Sequence, residues 1–291
     1  MSKVAIFTMG TRGDVQLYIY LAGKLIEEGI DTIIGTHPYW KDLVEEAGVG
    51  FVPIGSNINI EKEMAAIRGN GTNPMSGIRE QEFVADFFQD ATHDILNACK
   101  GKDMVIVGHT MIGAVEAEAL GIPTINVTLQ KESIPEKLRQ QTVSEKVLEN
   151  FGSNRAIKPF NNLRKKYGLR PIKSVDELFS DRLNLMPISR TVNDRNPYWE
   201  AKNVVTGFWY EDDVDFVPDE KLKNFMETGD KPVVLSFGSM SYEDDVVADK
   251  LDKFIKAFEA TDTKAIIQGF QKNIATNYKL PDSIMSCGDV P

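Results

Sequence analysis

The stretch VAIFTMGTRGDV, Val4 to Val15, decides the fold. Val4 to Thr8 is a continuous, largely apolar run of strand length, as expected of a strand buried on both faces. Gly10-Thr11-Arg12-Gly13 then turns the chain. From Val15 to Glu28 apolar residues recur at helical spacing, through Val15, Ile19, Leu21, Ala22, Leu25 and Ile26, until Gly29 supplies a stop. A buried strand that passes through a glycine turn into an amphipathic helix is the opening unit of a parallel α/β sheet.

Outward from this unit the alternation continues. Asp31 to Gly35 is predicted as a second strand, Tyr39 to Ala47 as a helix and Phe51 to Pro53 as a third strand. Loops are expected over about Ile58 to Gly77, with the most flexible composition in GNGTNPMSG, Gly69 to Gly77. A long helical pattern then runs to Cys99, followed by strand Met104 to Val107, helix Gly113 to Leu120 and strand Thr124 to Val127. The stretch from Ile134 to Tyr167 is polar and mostly helical in pattern, and Leu183 to Ile188 and Asn203 to Thr206 are strand-like. The acidic run Glu211, Asp212, Asp213 and Asp215, closed by Pro218, has the character of a solvated linker.

After the linker the pattern restarts, with a helix to Glu227, strand Val233 to Ser236, helix Val246 to Glu259, strand Ala265 to Gln268 and a short run Ser283 to Met285. Two domains are therefore predicted, 1–210 and 211–291, both Rossmann-like parallel-sheet units. A doubly wound domain usually needs roughly 100 residues or more. The second stretch offers only about three strands, so it is expected to be incomplete.

Bulk composition narrows the function classes. The chain is 42% hydrophobic and 26% charged, with a net charge of −10. Such acidity argues against broad nucleic-acid binding, which depends on neutralising phosphates. Cys99 and Cys287 show no metal-like spacing, and two thiols without a framework fit a reducing cytoplasm. No run is apolar enough for a membrane span, and the N-terminal apolar run is too short for a secretory signal.

The turn Gly10-Thr11-Arg12-Gly13-Asp14 carries the chemistry. Ligands of open parallel sheets gather beyond the carboxyl ends of the strands, and amides at a helix start hold anions. Gly10 and Gly13 allow close backbone approach, and Arg12 can add a charge-assisted bond to phosphate. The spacing is not that of the three-glycine dinucleotide fingerprint, which disfavours a nicotinamide-dependent oxidoreductase. Asp14 has two compatible readings: a residue that caps the helix start, and a general base that takes a proton from a hydroxyl.

The segment FTMGTRGDVQLYIYLAGKLIEEG resembles the N-terminal signature of GT-B glycosyltransferases acting on sterols, glycopeptide aglycones and other natural products. IIGTHPYWKDLVEEAGVGFVPIG, with its Thr36-His37 pair, VTGFW from Val205, KPVVLSFGSM from Lys231 and GDVP from Gly288 are similar to later segments of that family, in the same order. The resemblance implies an inverting transfer from a nucleotide-diphosphate sugar, UDP-linked, to a hydroxyl of a lipophilic small molecule or lipid, with no cofactor beyond that co-substrate and no metal. It implies Asp14 as base, and Thr11, Arg12, Gly13, Gly238, Ser239 and Met240 as donor-binding residues. His109, Phe83 and Phe87 are candidates for the acceptor site. His109 also has the alternative of capping local backbone, and Phe83, Phe87 and Phe88 that of a core-facing stripe. His93, within a long helical pattern, is expected to be a surface or packing residue.

One departure from the family matters. No histidine here precedes a Gly-Gly pair, although a His-Gly-Gly-type turn holds the donor diphosphate in the resembled enzymes. The donor site is expected to be incomplete in this sequence. Open alternatives are a fragment of a longer enzyme, a catalytically silent acceptor-binding subunit, and one half of a two-chain enzyme. A second chain, a homo-oligomer and a peripheral membrane contact are the corresponding partners.

Overall fold

A computed structural model describes residues 1–68, 76–137, 139–140, 142, 156–210, 216–236, 244–268, 274 and 278–288. The chain divides into two compact units, Met1–Ile60 with Ile78–Tyr210, and Glu61–Gly77 with Glu211–Pro291.

The first unit is built on a seven-stranded sheet in the order β3-β2-β1-β4-β5-β6-β7. Its strands are β1 (Lys3–Phe7), β2 (Asp31–Thr36), β3 (Gly50–Pro53), β4 (Met104–Val107), β5 (Thr124–Val127), β6 (Asn184–Met186) and β7 (Asn203–Val205). Every pairing is parallel. Helices α1 (Arg12–Glu27), α2 (Lys41–Glu46), α3 (Ile60–Arg68), α4 (Ser76–Cys99), α5 (Ala114–Ala119) and α6 at 156–166 follow one another along the chain, α3 from Glu61 onward being counted with the second unit. The predicted helix from Tyr39 begins instead as a 3-10 turn, Pro38–Trp40, with Pro38 at its first position.

The order of strands reverses between β1 and β4. In parallel sheets this switch point opens a crevice at the carboxyl ends of the two strands. The register pairs Phe7 with Gly35 on one side and with Val107 on the other. The residues just past these ends, Met9, His37 and His109, therefore continue one row across three neighbouring strands.

One apolar cluster of this unit runs from Ala5 and Phe7 through Ile95, Val105 and Leu163 to Met186 and Val205, while Ile6, Val15, Ile19, Ile34 and Ile106 are buried outside it. Within it lie polar groups that are well paired. Arg164, 2% exposed, grips Glu118 with both terminal nitrogens at 2.5 and 2.7 Å, and its Nε donates to the Arg170 carbonyl. Asn126 accepts from the Ser180 amide at 2.9 Å and donates to the Leu178 carbonyl, tying β5 to the segment before β6.

Helix α3 corrects the expectation of loop from Ile58 onward. Ile60 and Met64, four residues apart, are both buried, so one apolar stripe is enough to fix this short helix. The expected loop residues 69–75 lie outside the described residues.

The second unit contains a parallel three-stranded sheet in the order β10-β9-β8, from β8 (Val233–Ser236), β9 (Ala265–Gln268) and β10 (Ile284–Cys287). Helix α8 (Asp244–Ala260) contributes Leu251 and Ile255 to one small core, and α7 (Glu220–Glu227) contributes Leu222 to another. Asp219 starts α7, its carboxylate accepting from the Leu222 amide at 2.7 Å. The predicted linker at 211–215 lies outside the described residues.

Candidate functional site

The turn after β1 is shaped by its glycine. Gly10 sits at φ +139°, a conformation L side chains rarely adopt, and a Cβ there would run into the Asp14 carboxylate. The indole Nε1 of Trp40 donates to the Gly10 carbonyl at 3.0 Å and holds the turn from outside.

Asp14 is the third residue of α1, with Thr11 at the N-cap. Its Oδ2 accepts from the Thr11 amide at 2.8 Å and from the Thr11 hydroxyl at 3.1 Å. Behind it, the Thr8 hydroxyl donates to the Asp14 carbonyl at 2.5 Å. The other carboxylate oxygen, Oδ1, faces Nδ1 of His109 at 3.9 Å, too far for a hydrogen bond. Both side chains are part-exposed, at 28% and 25%. One oxygen is thus fixed and the other is presented beside an imidazole at the switch point. Capping occupies the first and leaves the second open.

Tyr18 lies one turn further along α1, in a place that its spacing along the chain does not announce. Its hydroxyl is buried and donates to the Val127 carbonyl at 3.3 Å. Burial, and then the Asp14 charge, push its proton affinity far above the ordinary value of 10.0, so it stays a neutral donor. Gly108, at the end of β4, makes room for it, because a Cβ there would lie 2.9 Å from the hydroxyl.

Thr11 is half-buried, while Arg12 and Gly13 are exposed at the start of α1. Arg12 donates through Nε to Gln16 at 3.0 Å. A Cβ on Gly13 would meet nothing within 4 Å, so packing within the chain does not demand glycine there. Gly238, Ser239 and Met240 lie outside the described residues.

His37 is fully buried, and neither ring nitrogen has a hydrogen-bond partner. Burial pushes its pKa down from 6.5 to about 4, so the ring is neutral at ordinary pH. It packs against Phe87, with ring centroids 4.6 Å apart. Phe87 is itself a core residue, and Gly55, at φ +71°, is shaped around its ring. Phe83, one helical turn earlier on α4, is half-buried, and the side chain of Phe88 is outside those described. His93 pairs with Asn97 along the exposed face of α4.

The structure therefore brings Asp14, His109, Thr11 and Tyr18 together at one sheet end, with His37 and Phe87 in the same layer of the fold. The Asp14–His109 proximity follows from β4 lying beside β1, a neighbour relation that linear spacing does not reveal. Among the described residues, no helix is long and apolar enough to cross a membrane.

The parallel sheet with a switch point and the second parallel sheet after it superpose on glycosyltransferases of the GT-B fold. SnogD, a glycosyltransferase from Streptomyces nogalater, superposes with a TM-score of 0.67 at 16% identity, over 98% of this chain and 72% of its own. SsfS6 from Streptomyces sp. SF2575, complexed with thymidine diphosphate, gives 0.60 at 15% identity over 100% of this chain and 72% of its own. Residues 4–134, within the first unit, match the model of the glycosyltransferase family 28 N-terminal domain.

Sequence relatives agree. A sterol 3-beta-glucosyltransferase from Yarrowia lipolytica is 27% identical over 82% of this chain and 18% of its own length. A dTDP-epi-vancosaminyltransferase from Amycolatopsis orientalis is 26% identical over 98% of this chain and 68% of its own. The chain thus spans only part of the sterol glucosyltransferases it matches, from 18% of one to 51% of another.

Proposed function

We propose that this chain forms the acceptor-binding unit, and part of the donor-binding unit, of an inverting glycosyltransferase. The observation that carries the reading is the Asp14 carboxylate, with one oxygen held by Thr11 and the other open beside His109. A base with a fixed orientation and one free lone-pair face suits proton removal from an acceptor hydroxyl. As the proton leaves, the oxygen attacks the anomeric carbon from the face opposite the leaving diphosphate, and the configuration inverts. The diphosphate takes the bonding electrons. In this reading the amides at the start of α1 and the Arg12 side chain would stabilise that charge, and Gly13 would leave the approach open.

The donor is a nucleotide-diphosphate sugar, UDP-linked in this reading, and the acceptor a lipophilic hydroxylated molecule or lipid. Phe83 and His109 would line the acceptor site, with Phe87 backing it. Gly238, Ser239 and Met240 would meet the diphosphate from the second unit. The two buried, unbridged thiols fit a cytoplasmic setting, and peripheral membrane contact is part of the same reading.

A second reading is an acceptor-binding unit that binds its ligand without transferring a sugar. One experiment separates the two. The purified chain is incubated with UDP- and dTDP-sugars and a panel of hydroxylated lipophilic acceptors, cholesterol included, and acceptor binding is measured in parallel. Transfer that falls at least about 100-fold in Asp14→Asn establishes the base. Binding without transfer establishes the silent unit. Transfer that survives in Asp14→Asn removes Asp14 from the mechanism.

A further inference from the structure

The turn that carries His109 follows a strained path. The Gly108 amide donates to the Phe7 carbonyl at 2.9 Å, and the Met111 amide donates to the Gly108 carbonyl at 2.9 Å. His109 and Thr110 are thus the two central residues of a tight turn fastened to the end of β1. Met111 then stands at φ +58°. Among the described residues only one other non-glycine, Asp262, has a positive φ, and it lies just past the end of α8, where aspartate is well tolerated. Methionine has no short polar side chain to bond locally, and glycine would take this path without strain. Two residues on, Gly113 stands at φ +90°, where a Cβ would lie 2.5 Å from the Phe7 ring. The Thr110 hydroxyl oxygen is buried without a partner, a second cost in the same turn.

The Met111 side chain gives a reason for the absence of glycine. Met111 is 5% exposed, and its Sδ accepts from Asn126 Nδ2 at 2.8 Å. Asn126 is itself fixed, its Oδ1 accepting from the Ser180 amide at 2.9 Å. The turn is therefore braced on β1 through Gly108 and on β5 through Met111. Between these two braces sits His109, whose Nδ1 lies 3.9 Å from Asp14 Oδ1. The pair does not bond directly, but one oxygen atom can lie within about 2.8 Å of both, as an acceptor hydroxyl would in the proposed reaction.

We propose that Met111 and Asn126 are positioning residues of the Asp14 site, which act by holding His109 against Asp14. Strain of this kind persists where surrounding packing over-determines it, and it gathers at sites that need a fixed geometry. The braced turn supplies that geometry before any ligand arrives. The proposal rests on the reading of Asp14 as base, but its test needs no turnover, so a failure of the base and a failure of the brace are read apart.

The test is the proton–carbon NMR correlation spectrum of the histidine rings in the full chain, which has 3 histidines. Asp14→Asn should move the His109 ring signals of the parent chain. In Met111→Gly, which relieves the strain and removes the brace, that response should fall about threefold or more, with the His37 signals, set by Phe87, unmoved. Met111→Leu keeps the buried volume and removes the acceptor for Asn126, and should lose the response as well. Should Met111→Gly also move His37, Met111→Leu decides. A full response in Met111→Leu overturns the proposal, and so does the absence of any response in the parent chain.

Discussion

At the residue scale, Gly10 and His37 carry the sharpest expectations. Gly10→Ala places a methyl group against the Asp14 carboxylate at a φ that alanine resists. A loss of about 2 kcal/mol in urea unfolding is expected, with Asp14 displaced from Thr11. His37 binds its proton less readily in the folded chain than in the unfolded one, about 4 against 6.5. Between those values the unfolded state takes up more protons, so this residue's contribution is intact above pH 6.5 and is lost as the pH falls toward 4. The loss approaches about 3 kcal/mol at the lower limit. His37→Phe keeps a ring against Phe87 and removes both unpartnered nitrogens. Denaturation at pH 7 and pH 4.5 should show a shallower acid loss in that variant, and an unchanged difference between the two pH values would separate His37 from the effect.

At the scale of elements, Asp219 is a test of capping alone. It accepts from the Leu222 amide and touches no candidate site residue. Asp219→Ala should cost about 1 kcal/mol, read as faster amide exchange along Glu220–Glu227 with the first unit unaffected. Periodicity alone makes most elements legible. The strands at Val4, Met104, Thr124 and Ala265 are readable because buried parallel strands are continuous apolar runs. Helix α3 is hidden, because its stripe rests on two residues, Ile60 and Met64, inside a polar, turn-rich stretch. The Gly10–Asp14 turn is legible as a candidate site from its place after a strand. Tyr18 is not, since a tyrosine at helical spacing carries no mark of the Val127 carbonyl it meets 109 residues away. Nor is the burial of His37, which depends on Phe87 arriving from α4.

At the scale of the whole molecule, the two units hold separate apolar clusters of very different size. All three tryptophans, Trp40, Trp199 and Trp209, fall within the first unit. Indole fluorescence therefore reports that unit, whereas far-ultraviolet dichroism reports both. In a urea titration the dichroism should begin to fall before the fluorescence moves, because the second unit buries less apolar surface. Coincident curves would mean that the two unfold as one.

The shared carboxylate of Asp14 sets an asymmetry on how this site can change over evolutionary time. Asparagine retains an oxygen for the Thr11 amide while giving up basicity, so a silent descendant with an intact first helix is one substitution away. Glutamate retains the basicity but carries its carboxylate one methylene further, away from the space that Gly10 leaves open. With Asp14 in the proposed role of base, loss of chemistry with retention of the fold is an easy step, and replacement by another acid is a hard one. On the proposed role of Asp14, the site drifts more readily into binding without chemistry than into catalysis by a different acid.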